Sequence, residues 1–207
     1  MSTQIKLLLA YLLQSANQYK EENIELRNKV LELTTKVAYL ERALQESSLD
    51  DLTGLLRRKR FEEYANEQLL LLRRNPNKSL SILLVDLNFL KRLNSEYGHP
   101  GGDKVLASFA ERLKKSLRDC DIVARLGGDE FVVLLPEQDE FAANTIKENL
   151  LKKFGEWKSE IKPAFYGAAI GLATTTFDTV NDYSKDLVEL YQEASEAMFY
   201  NKMEQRL

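Results

Sequence analysis

The 207-residue sequence predicts an α/β fold: a mixed central sheet flanked by helices, preceded by one long α-helix that pairs with a copy of itself. Three observations carry this. From residue 5 to residue 44, apolar side chains recur at alternating steps of four and three, with no Pro or Gly to interrupt them. The segment QESSLDDLTGLLRRKRF ends that pattern with serines, aspartates and a glycine, residue types that cap helices and make turns. Beyond it, helical segments alternate with apolar strands and include one antiparallel hairpin.

The first element is a stalk over residues 1–48. Its seam is Ile5, Leu9, Leu12, Ala16, Tyr19, Leu26, Val30, Leu33, Val37, Leu40 and Leu44, with Asn23 the one polar member. Val30 and Val37 at a, with Leu26, Leu33 and Leu40 at d, match the preference of parallel two-stranded coiled coils. Asn23 then falls at an a position, where a buried amide fixes register and strand number at some cost in stability. Across the pair Glu22 faces Arg27, and Lys36 faces Glu41. The alternative is a single amphipathic helix packed on its own domain, but a seam this long and narrow has more helix than one small domain covers. Leu7, Leu8 and Leu13 flank the seam near its start and suit docking of a regulatory protein or tetramerisation.

The second domain is residues 49–207. Its pattern predicts a helix over about 58–74, a strand at LSILLVDL, a helix over about 102–117 and the hairpin DIVARL/FVVLLP. A helix over about 140–157, a strand at AFYGAAIGLAT and a last helix over about 184–202 complete it. The charge is balanced, 29 Lys+Arg against 32 Asp+Glu, so there is no basic field to concentrate nucleic acid. The single cysteine, Cys120, excludes an intramolecular disulfide framework and fits a reducing compartment. The apolar run IKLLLAYLL is far shorter than the roughly 20 residues of a membrane span. The expected location is the cytoplasm.

Chemistry concentrates at two strand ends. SILLVD is an apolar strand ending on Asp86, and the hairpin tip carries Gly127, Gly128, Asp129 and Glu130. The glycines permit a tight loop and close approach of another group to the main chain. Two adjacent carboxylates repel each other unless a cation neutralises them. Hard oxygen donors of this kind suit Mg²⁺, which takes a few carboxylates and fills its shell from the phosphates of a nucleotide.

The segment from Asp50 to Arg206 resembles a GGDEF domain, the catalytic domain of diguanylate cyclases. DDLTGL (50–55), VDLNFLKRLNSEYGHPGGD (85–103), RLGGDEF (125–131) and AAIGLA (168–173) carry the likeness. The resemblance implies an α+β palm-like fold of the nucleotidyl-cyclase and polymerase-palm type, and condensation of two GTP molecules into cyclic di-GMP and pyrophosphate. It implies metal binding, as Mg²⁺ or Mn²⁺, by Asp86, Asp129, Glu130 and the carbonyl of Leu87, with Asp129 or Glu130 as the proton acceptor. Lys91, Lys202 and Arg206 fall where the family contacts the triphosphate. Phe89, Leu90, Gly127 and Gly128 line the substrate, and Arg125 serves the substrate or the dimer interface. Asn94 and Asp103 match the guanine-reading pair, and His99 matches a position near the substrate.

RDCD (118–121) coincides with the family's inhibitory product site, which would give Arg118 and Asp121 to cyclic di-GMP. Leu90, Ser95, Arg57, Ser195 and Gln205 depart from the family pattern without removing a metal ligand or guanine contact. One GTP per domain requires two domains to face each other, so the resemblance also implies a homodimer held by the stalk. The alternative is a degenerate GGDEF domain acting as a sensor of GTP or cyclic di-GMP, or as a scaffold.

Overall fold

The structure is a computed structural model that describes residues 3–155 and 167–205. The chain divides into two units, residues 1–47 and 48–207. The first is helix α1 (Thr3–Ser47), 45 residues without a break, or roughly 68 Å at 1.5 Å per residue. Seam residues such as Val30, Leu33 and Val37 are exposed. Asn23 donates its amide to the Tyr19 carbonyl at 3.0 Å, and Thr34 and Thr35 likewise bond back to the preceding turn. Among the described residues no helix is long and apolar enough to cross a membrane.

The second unit runs β1 (Leu56–Arg57), α2 (Arg58–Leu72), β2 (Ser79–Leu87), α3 (Leu90–Lys115), β3 (Ile122–Gly127), β4 (Glu130–Pro136), α4 (Glu140–Gly155), β5 (Ala168–Thr176) and α5 (Leu187–Glu204). Among the described residues five strands form one sheet in the order β1-β3-β4-β2-β5. Only β1 and β3 pair in parallel; the other neighbours are antiparallel.

The sheet is buried on both faces, which is why β2 reads as a continuous apolar run rather than an alternating one. Leu83, Val85 and Leu87 join Phe109, Phe131 and Phe154 in one core, with residues of α3 and α4. Leu80, Ile82 and Leu84 join Phe61, Leu187 and Leu190 in the other, with residues of α2 and α5. Phe131 packs against Phe109 in a tilted pair with centroids 5.1 Å apart, and Phe109 against Phe154 at 4.5 Å. Those aromatic contacts fix the hairpin strand immediately after Glu130.

The elements agree with the sequence expectation except at particular points. The two-residue β1 is too short to leave a periodic signal. The third helix begins at Leu90 rather than near Gly102, because two helical stretches run together across a kink at Gly98 (φ 69°, ψ 172°), just before Pro100. Gly and Pro together read as a stop, whereas here they bend the helix. The last helix starts at Leu187, three residues late, because Asp186 forms a capping box with Glu189. The ends anticipated at Trp157 and Ala164 lie outside the described residues.

Candidate active site

The site begins with register. In the β2–β4 ladder Asp86 stands opposite Glu130, Val85 opposite Phe131, and the Leu87 N–H donates to the Asp129 carbonyl at 3.0 Å. The ends of the two central strands therefore bring three carboxylates to one edge of the sheet. The hairpin that joins β3 to β4 turns through Gly127 (φ 149°) and Gly128 (φ 52°), conformations a side chain rarely tolerates.

The hairpin tip is tied down from outside. Arg125 donates to the Gly128 carbonyl through Nε at 3.1 Å and Nη2 at 2.8 Å, and through Nη1 to Asp50 at 3.1 Å. Asp50 also accepts the Thr53 N–H at 2.9 Å and the Thr53 hydroxyl at 2.7 Å. Burial pushes the Asp50 carboxyl up, but these hydrogen bonds from Thr53 and Arg125 outweigh it and hold the group below its ordinary range. Arg125 is thus engaged in clamping the loop to the turn at residues 50–54. Sequence reasoning passed over Asp50 as a ligand of Arg125; its signal was the turn motif DDLTGL, which carries an Asx-type acceptor three residues before Thr53.

Below the hairpin lies a cleft of about 770 Å³. It gathers Asp86, Leu87, Phe89, Leu90, Lys91, Asp129 and Lys202 from the resemblance-based set, together with Asn88, Gly167 and Gln205. Asp86 is only 8% exposed, and Lys202 Nζ donates to its Oδ1 at 2.7 Å. Phe89 caps α3 in the left-handed region (φ 67°) and leaves its ring exposed. This turn projects Lys91 from the first turn of α3 into the cleft wall.

The remaining residues of that set do not line this cleft. Asn94 packs against Gly102, where a Cβ would lie 1.9 Å from its Oδ1, so a larger residue there would push the Asn94 amide away from the helical turn that bears Asp103. His99 and Asp103 are exposed on the same helix. Glu130 lines a separate groove with Arg58, Leu126, Tyr191 and Ser195 rather than the cleft of Asp86 and Asp129. Arg118 forks onto Asp121 through Nε at 3.1 Å and Nη2 at 2.5 Å, and the Asp121 side chain is 1% exposed. The Asp121 carboxylate, by its hydrogen bonds, raises the Arg118 guanidinium above its ordinary value. Arg206 lies outside the described residues.

Residues 47–206 match the family described as "Diguanylate cyclase, GGDEF domain". The chain belongs to the GGDEF family. A relative, Diguanylate cyclase A of Treponema denticola, is 27% identical over 202 residues, covering 97% of this chain and 54% of that protein. Cyclic di-GMP phosphodiesterase NbdA of Pseudomonas aeruginosa is 32% identical over 142 residues, covering 68% of this chain and 18% of that protein. The chain therefore spans about half of one curated relative and under a fifth of the other. A crystal structure of the coiled coil and GGDEF domain of DgcB from Caulobacter crescentus, in complex with c-di-GMP, shares the fold. It has a TM-score of 0.73 at 18% identity and covers 87% of this chain and 94% of that one.

GGDEF cyclases use divalent metal ions, and the donor set here fits one. Asp86 and Asp129 offer hard oxygens in one cleft, and the Asp86 charge is already balanced by a cation, Lys202. Among the described residues no three His, Cys, Asp or Glu side chains converge tightly enough to hold a metal alone. A cation seated here would complete its shell from phosphates and water.

The Asp50 anchor makes a pH-dependent prediction. A carboxyl depressed in the fold contributes stability above its unfolded value of about 3.9, and that contribution disappears as pH falls through the lower folded value. Urea denaturation should therefore find Asp50→Asn less stable than wild type at pH 7, with the gap narrowing below about pH 4. A gap that is absent at pH 7, or that widens in acid, would contradict the anchor.

Proposed function

We propose that this GGDEF chain is a diguanylate cyclase that joins two GTP molecules into cyclic di-GMP across a homodimer. The observation that carries the reading is the meeting of Asp86, Asp129, Lys91 and Lys202 in one cleft beneath a glycine hairpin. Two anions and two cations there match the needs of a metal-bound triphosphate.

In each half-reaction the 3′-oxygen of one GTP attacks the α-phosphorus of the other. The new O3′–P bond replaces the bond to pyrophosphate, which leaves with its electron pair, and the 3′-hydroxyl proton passes to Asp129 or Glu130. Asp86, Asp129 and the Leu87 carbonyl would hold Mg²⁺ or Mn²⁺, which supplies Lewis-acid stabilisation of phosphate charge when bound. Lys91 and Lys202, with Arg206, offset the charge of the triphosphate. Phe89, Leu90, Gly127 and Gly128 shape the cleft, and Asn94 and Asp103 select guanine by accepting its N1–H and N2–H groups. His99 lies near the substrate in this reading. Arg125, through Asp50, holds the hairpin ready for it.

A single domain holds one GTP and makes no product alone. Pairing of α1 through its heptad stripe would raise the effective concentration of the second domain and let the stalk regulate encounter. Leu7, Leu8 and Leu13 are exposed at 67%, 61% and 61% and offer a surface for a regulatory protein. Arg118 and Asp121 would release each other to take a guanine of cyclic di-GMP in feedback. This reading expects the protein in the cytoplasm, where GTP is available.

Incubation of the purified chain with GTP and Mg²⁺ should give cyclic di-GMP and two pyrophosphates by chromatography. Asp129→Ala should cut that turnover by about a hundredfold or more while remaining dimeric. A verified wild-type dimer that yields no product would leave the sensor reading instead. For feedback, wild-type turnover should slow as product accumulates, whereas Arg118→Ala runs on. Equal stalling of the two proteins removes the product-site assignment.

A further inference from the structure

We infer that Gln205 is a positioning residue that clips the end of α5 to the cleft and so sets the place of Lys202; the inference rests on the cyclase reading above. Its amide bonds three other residues. Oε1 accepts from Asn88 Nδ2 at 2.7 Å, while Nε2 donates to the Ala168 carbonyl at 3.0 Å and to Asn201 Oδ1 at 3.1 Å. With one acceptor and both donor hydrogens in use, the amide has no spare hydrogen for a ligand.

The partners show what the clip joins. Asn88 belongs to the turn between β2 and α3 that presents Phe89 and Lys91, and its own N–H bonds the Gly167 carbonyl at 3.0 Å. Ala168 opens β5, and Asn201 Oδ1 also receives the Ile170 N–H at 3.0 Å. One glutamine thus ties the last turn of α5 to both the turn that leads into Lys91 on α3 and the first residues of β5. Lys202 stands three residues before Gln205 on the same helix and reaches Asp86.

A helix end normally frays because its last carbonyls lack partners. Here the side chains of Asn201 and Gln205 fasten that end through bonds to other elements. Without the clip the last turn must be ordered when the triphosphate binds, and that ordering subtracts from affinity. The interaction of Lys202 with phosphate is present in the bound ground state as well as during reaction, so its loss falls on KM rather than kcat.

The test uses the whole chain with Gln205→Ala, Asn88→Ala and the double variant. GTP affinity is read by calorimetric titration with Ca²⁺ as the ion, and KM and kcat are read with Mg²⁺. Each single substitution should weaken affinity and raise KM by about five- to tenfold, with kcat held within about twofold. The double variant should be no worse than the worse single, because both residues belong to one bonded unit. Unchanged affinity and KM in Gln205→Ala would overturn the clip, as would a lowered melting temperature with no change in GTP affinity, or full additivity in the double variant. If wild type binds GTP but makes no cyclic di-GMP, the cyclase reading fails while the affinity ratios still decide the clip. A wild-type chain that binds no GTP overturns both.

Discussion

The register of β2 against β4 is the constraint from which the site follows. Because Asp86 lies opposite Glu130 and the Leu87 N–H reaches the Asp129 carbonyl, the end of β2 and the start of β4 present carboxylates at one end of the sheet. A slip of one residue would turn Asp86 to the other face of the sheet and push Leu83, Val85 and Leu87 out of their core. Burial on both faces makes such a slip costly. The apolar run that gives β2 its stability is thus also what aims its single charged residue.

Placing a carboxylate at 8% exposure raises the question of what stabilises it. Lys202 answers from α5, and the clip at Gln205 answers for Lys202. On the other side of the cleft, Arg125 bridges Asp50 to the Gly128 carbonyl, so the flexible glycine pair is restrained by a guanidinium rather than by its own side chains. The site is therefore assembled from long-range bonds: residue 50 to 125, 86 to 202, and 88 to 205. Preorganisation of this kind reduces what substrate binding must spend on ordering.

The sequence made the strands, most helices and the cleft's main residues legible, because buried strands and a glycine hairpin with adjacent carboxylates leave strong local signals. Lys91 and Lys202 were found only through resemblance, since a lysine on a helix is ordinarily a solvated residue. What stayed hidden was side-chain partnership across the fold. Nothing local in RLGGDEF says that Arg125 closes on Asp50, and nothing local in NKMEQRL says that Gln205 reaches Asn88. The division of labour between Asp129 and Glu130 was equally invisible: Asp129 stands in the hairpin turn while Glu130 opens β4, and the two line different hollows. The kinked α3 was missed because Gly98 and Pro100 read as a stop while the two flanking helical stretches join across them.

The central claim is that the paired strand ends form a metal-nucleotide site. A crystal structure of the chain with Mg²⁺ and a non-cyclisable GTP analogue tests it most directly. The account predicts an ion held by Asp86 and Asp129, phosphates lying over Gly127 and Gly128, and Lys202 moved from Asp86 to a phosphate oxygen. A nucleotide bound elsewhere, with the Lys202–Asp86 pair intact and no ion between the carboxylates, would contradict it.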